Sequence, residues 1–244
     1  MRKSFTGRLK ASARIILDGK HGVFAMTTFL VALCNLFLNY ILSSVFSGSG
    51  MFNFILQLAC SALMNVILYL LFVGQQRMYL NLCRDEVYGF GDLFSSFTGH
   101  PEQIALYSLL QFALQSLVYN STIYILLSAL SLDLGTILLV IVGLTAELII
   151  FAWVQIALGF VLCLFVDHPY ITAKEAVKES YFMMNGNKGK MLRIYISFIG
   201  MELLALLSFG IGSLFVDPYR HTTLTLFYME VCGEDTQQTY SESF

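Results

Sequence analysis

The runs 23–46, 51–74 and 103–129 contain no charged residue. A helix in water keeps a polar face, whereas about 20 consecutive apolar residues suffice to cross a bilayer. Three further runs, 135–166, 191–209 and 213–231, are nearly as apolar. The expectation is an all-α fold: a six-span transmembrane helix bundle with cytoplasmic-side amphipathic helices at its interface. Composition supports this. Only 12% of the 244 residues are charged, against about 25% in soluble domains, and the mean hydropathy is +0.72. A net charge of −2 offers no field to attract nucleic acid.

Lysine and arginine set the expected orientation. Residues 1–22 hold six, 75–102 hold two, 167–193 hold five, and Arg220 completes the inventory of 14. The short connections 47–50, 130–134 and 210–212 hold none. Positive residues stay on the cytoplasmic side. That places the N-terminus, the two long connections and, with six crossings, the C-terminus in the cytoplasm. The tail 232–244 is polar.

Residues 1–22 combine Arg2, Lys3, Arg8, Lys10, Arg14 and Lys20 with Phe5, Leu9, Ala13 and Ile16 on one helical face. Such a basic amphipathic helix suits an anionic leaflet, with a protein partner as the alternative. A cleaved signal peptide is the rival reading, but 23–46 is long for its apolar core and no clear A-x-A site ends it. A second amphipathic helix, 172–185, starts at the capping box Thr172/Glu175, presents Ala173, Val177, Tyr181 and Met184, and stops at Gly186. Asp92 is read as the N-cap of a short helix carrying Leu93, Phe94 and Phe97. The long run 135–166 is expected to tilt, to bend near Gly143, or to project beyond the bilayer.

Ionisable residues within apolar runs are costly and often functional. Glu147, Glu202, Asp217 and Arg220 therefore form the candidate intramembrane polar site. Asp217 and Arg220, three apart, share a helix face. Pro218 between them frees a carbonyl near 214, which Thr222, Thr223 and Thr225 are placed to satisfy. One outcome is a water-accessible kink; the other is an internal ion pair that fixes the helix. Asn35, Asn39, Gln57, Asn65, Gln111, Gln115 and Gln155 are read as bonding between helices. Trp153 is read as packing, and the Asn120 sequon, inside a predicted span, as chance.

The four histidines and five scattered cysteines show neither metal-ligand spacing nor a CxxC pair. No nucleophile elbow or phosphate-binding loop occurs. No metal, cofactor or catalytic residue is expected. The reading is a non-enzymatic accessory, scaffold or envelope-associated membrane protein. A small transporter or channel using Glu147, Glu202, Asp217 and Arg220 is the alternative, and a lipid-modifying enzyme a third. Membrane lipids, a membrane-protein partner or a second copy of the chain are the expected partners.

Four blocks carry a family resemblance. They are "LKASARIILDGKHG", "RMYLNLCRDEVYGFGDLFSSF", "LFVDHPYITAKEAVKESYFMMNGNKGK" and "LRIYISFIGMELLALLSFGIGSLFVDPYRHTTLTLFY". In their order the chain resembles the domain-of-unknown-function 975 family of bacterial integral membrane proteins. The resemblance implies a polytopic helical protein of the bacterial cytoplasmic membrane with no assigned activity. It is more distantly similar to the membrane domain attached to some glycerophosphodiester phosphodiesterases, without their catalytic barrel. The family's Pro-Gly corner before the fourth span is absent here, where the chain reads "GLTAELIIFAWV".

Overall fold

A computed structural model describes residues 5–45, 50–128 and 134–234. Arg2, Lys3, most of the 47–50 turn and the 130–134 connection, and the tail after Glu234 lie outside them. The regular structure of the described residues is all helical, without strands. The helices are α1 (Phe5–Leu17), α2 (His21–Val45), α3 (Met51–Cys83), α4 (Pro101–Ser128), α5 (Leu134–Ala157), α6 (Val161–Asp167), α7 (Ala173–Met183), α8 (Lys188–Leu207) and α9 (Ser213–Cys232), with a 3₁₀ helix at Phe90–Phe97 between α3 and α4.

Among the described residues three stretches are long and apolar enough to cross a membrane: His21–Val45, Met51–Cys83 and Gly135–Asp167. That is compatible with a membrane protein. The apolar windows of the first two are only 11% and 17% buried by the fold itself, so most of their surface faces outward. Tyr40 (71% exposed), Phe52 (76%) and Leu139 (74%) lie on this outer face. An apolar surface of this extent marks contact with a membrane or another protein.

The core sits at one end. In α3 the residues from Leu68 onward carry the burial, while those from Met51 to Ile67 stay partly or fully exposed. Phe24, Tyr79, Phe160, Phe198, Phe227 and Tyr228 fill that end. It also holds α1, α6, α7 and the last turns of α9.

Several elements depart from expectation. α3 continues nine residues past 74 to Cys83. Gln75 and Gln76 do not end it, because each finds a partner across the interior. Gln75 donates to Thr28 Oγ1 (3.1 Å), and Gln76 donates to Thr225 Oγ1 (2.9 Å) and Cys163 Sγ (3.2 Å). Bonded in this way, a glutamine is tolerated inside a packed helix. Gly89, not Asp92, is the N-cap of the 3₁₀ helix, and Asp92 is its third residue, accepting the Gly89 N–H at 2.9 Å. Its tight approach to α3 explains Gly74. A Cβ there would strike the Leu93 backbone carbonyl and lie 2.8 Å from the Leu93 Cα.

α1 does not offer its apolar face outward. Leu9, Ala13, Ile16 and Leu17 are buried in the core that α8 and α9 share. Fully burying a leucine or isoleucine is worth roughly 1.5–3 kcal/mol. Lys10 also turns inward: its ammonium donates to the Ser197 carbonyl (2.7 Å) and lies 3.9 Å from the Phe198 ring centroid. The Tyr219 hydroxyl donates to the Lys10 carbonyl at 3.1 Å. Arg14 remains exposed, Arg8 meets Glu230 at 3.8 Å and Lys20 meets Asp85 at 3.9 Å.

The long run 135–166 is broken at Gly159, not Gly143. The Gly159 N–H bonds the Ile156 carbonyl (3.2 Å) and the Val161 N–H bonds the Leu158 carbonyl (3.2 Å), both three residues back. This tight turn leaves the Ala157 carbonyl and the Phe160 N–H without helical partners. Ser180 of α7 takes both, donating to Ala157 O (2.9 Å) and accepting from Phe160 N (3.2 Å). The α7 capping box is present, with the Glu175 N–H donating to Thr172 Oγ1 at 3.3 Å. Its buried face is Ala176, Ser180 and Met184, and Tyr181 is 57% exposed. Tyr181 instead contributes to an outer cluster. The Lys188 ammonium lies 4.5 Å from the Tyr181 ring centroid and 4.8 Å from that of Trp153. Gly186 (φ 83°) turns the chain into α8, and Phe209 (φ 53°) with Gly210 (φ 85°) turns it into α9.

Candidate functional site

Two ionic clusters stand out, one read from the sequence and one not. The first forms where α8 meets the start of α9. Pro218 is the sixth residue of α9, and the helix continues through it. The threonines that follow bond within the helix: Thr222 to the Pro218 carbonyl (2.8 Å), Thr223 to Tyr219 (2.8 Å) and Thr225 to His221 (2.9 Å). They serve the turn after the proline, not the carbonyl near 214. The resulting register sets Asp217 and Arg220 on one face. Arg220 Nη2 lies 2.9 Å from Asp217 Oδ1, and Nη1 donates to Glu202 Oε1 of α8 at 2.6 Å. The guanidinium thus bridges two carboxylates and staples α8 to α9.

Glu147 sits elsewhere. It accepts hydrogen bonds from Ser121 and Thr122 (3.1 Å) and ties α5 to α4. The structure therefore joins three of the four sequence-read site residues and places the fourth in a different helix pair. The amide residues divide as well. Gln155 donates to Gln111 (3.1 Å) and Gln115 to Tyr69 (3.4 Å), both between helices. Asn39 bonds Asn35 within α2, and Asn65 Oδ1 is buried without a partner.

Beside the first cluster lies a cavity of about 480 Å³ between α2, α3 and α9. Its polar lining is Thr28, Asn35, Gln75, Asp217, Arg220 and His221. The His221 ring stacks on Tyr79, with centroids 5.3 Å apart and planes at 11°.

The second cluster centres on Arg84, the C-cap of α3. Its guanidinium donates to both oxygens of Asp167 (2.7 and 3.2 Å) and both of Glu234 (2.6 and 3.1 Å). The Tyr228 hydroxyl donates to Asp167 Oδ2 at 2.7 Å. Bidentate guanidinium–carboxylate pairing is the strong, geometrically specific form of this contact. The bonds to Glu234 and then Asp167 hold Arg84 still more firmly protonated than a free arginine. The cluster joins the ends of α3, α6 and α9. Sequence reading missed it because its members are 83 and 150 residues apart. The available signal was that Arg84 and Asp167 both fall in the blocks that carry the family resemblance.

Among the described residues no group of three or more His, Cys, Asp or Glu side chains could hold a metal ion. The four histidines are dispersed: His100, for example, bonds Glu102 at 2.8 Å, far in the chain from His221.

Fold and site together define a helical protein with long apolar helices, stapled by arginine–carboxylate clusters at helix ends and crossings. The chain belongs to the family described as "Protein of unknown function (DUF975)", whose sequence profile matches residues 5–235. Comparison with curated proteins and with solved structures returns no match.

Proposed function

We propose that the chain is a multi-pass protein of the bacterial cytoplasmic membrane that works without catalysing a reaction, as an accessory or scaffold subunit. In this reading α2, α3, α4, α5, α8 and α9 make six crossings, with both termini cytoplasmic. The lysine and arginine distribution supports the orientation. The outward apolar faces of α2 and α3 support the membrane setting. Arg14 and the other exposed cations at the core-bearing end then face an anionic leaflet. The observation that carries the functional reading is how the ionisable groups are used. Arg220 is engaged by Glu202 and Asp217, and Glu147 by Ser121 and Thr122, so each set holds one helix to another.

The transporter reading keeps one specific support, the cavity beside Arg220. Flux through proteoliposomes loaded with a pH- or ion-sensitive dye separates the two. Wild type, Glu202→Gln and Arg220→Ala are expected to leak no faster than protein-free vesicles. Conduction by wild type that either variant abolishes would overturn the scaffold reading.

A further inference from the structure

We propose that the cavity between α2, α3 and α9 binds a lipophilic organic cation that enters from the bilayer. The inference rests on the membrane setting proposed above and goes beyond the scaffold role. At about 480 Å³ the cavity falls within the roughly 300–1,000 Å³ of small-molecule sites. Ala32 and Leu36 line it and are themselves exposed, Leu36 at 69%. They belong to the outer apolar face of α2, so the cavity opens sideways onto the surface assigned to hydrocarbon. An occupant arriving that way must partition into lipid.

Charge selects its sign. Arg220 is shared between Glu202 and Asp217, so with His221 neutral the cluster carries one net negative charge. An uncompensated charge among apolar helices is expensive, and a bound monocation supplies the balance. Asp217 and Arg220 both line the cavity, and Glu202 holds Arg220 from α8 without lining it. The occupant's charge is therefore met by Asp217. Val31 and Phe72 in the wall suit its apolar body, and an aromatic face favours a cation over an anion.

Tetraphenylphosphonium and tetraphenylborate, alike in shape and opposite in charge, test this with the full chain in nanodiscs of zwitterionic lipid. The phosphonium is expected to raise the thermal unfolding midpoint and the borate to leave it unchanged. Asp217→Asn should weaken phosphonium binding about tenfold or more, as expected for losing one charge in a partly desolvated site. Leu36→Trp, which fills the rim without touching the ion cluster, should weaken it similarly. Equal responses to both ions, no response to the phosphonium, or wild-type affinity in both variants would each overturn the proposal. Failure of the membrane setting shows separately, as a chain released from cell membranes by an alkaline wash without detergent.

Discussion

Ser180→Ala is the most informative single change in this fold. The hydroxyl donates to the Ala157 carbonyl at 2.9 Å and accepts from the Phe160 N–H at 3.2 Å. Ser180 is fully buried, so water does not replace it. Each buried polar group left unpaired costs roughly 1–3 kcal/mol. Two such groups, with some relaxation of the turn, give an expected loss of about 2–4 kcal/mol. Reversible unfolding in mixed micelles measures it. Ser43→Ala serves as control, because Ser43 is exposed and bonds only the Tyr40 carbonyl of its own helix. The control should shift stability by less than about 0.5 kcal/mol. Amide exchange adds a local readout: Phe160, just before α6, should lose protection before α6 itself does. A Ser180→Ala loss below about 1 kcal/mol with Phe160 still protected would refute the reasoning, since another group would then be satisfying the turn.

Arg84→Lys should not rescue Arg84→Gln, because one ammonium cannot match four bonds to two carboxylates. With the cluster partly exposed, each is expected to lose about 1–3 kcal/mol by the same unfolding assay. Gly74→Ala drives a methyl into the Leu93 backbone and should cost at least about 2 kcal/mol, while Gly22→Ala, with nothing within 4 Å of the added carbon, should be close to neutral. Glu175 has its pKa lowered by bonds from the Thr172 hydroxyl and backbone N–H. Its contribution to α7 is therefore present above the ordinary glutamate range and lost as the pH falls through the depressed value. The exchange protection factor at the start of α7, taken relative to the intrinsic rate at each pH, should fall with acid in wild type and stay constant there in Glu175→Gln.

Periodicity and uncharged length made the helices legible. The apolar runs became α2 to α5, α8 and α9, and the Thr172/Glu175 box marked the start of α7, because these signals are local. What escaped depends on partners distant in the chain. Gln75 and Gln76 look like a helix end until Thr28, Thr225 and Cys163 are set opposite them. The apolar face of α1 looks suited to lipid until the core of α8 and α9 covers it. The bend near Gly159 depends on Ser180, and Gly143 was the more obvious breaker by sequence alone. On the α7 face, Ala173 and Val177 pack against the core and Met184 is buried as read, while Tyr181 lies outward beside Lys188. At the candidate site, Asp217 and Arg220 were legible as an i,i+3 pair. Glu202 was legible as a partner for Arg220, Glu147 was wrongly grouped with them, and the Arg84 cluster was not legible.

The Lys188 ammonium set between Tyr181 and Trp153 gives the protein an intrinsic gauge. Trp153 is the chain's single tryptophan, so all indole emission comes from one known place at the α5–α8 contact. Its wavelength reports local polarity directly, and bromine carried at graded depths along lipid chains would quench it in proportion to proximity. The protein can thus be levelled against a bilayer to within a few carbon–carbon bonds, with no dye attached and no residue changed.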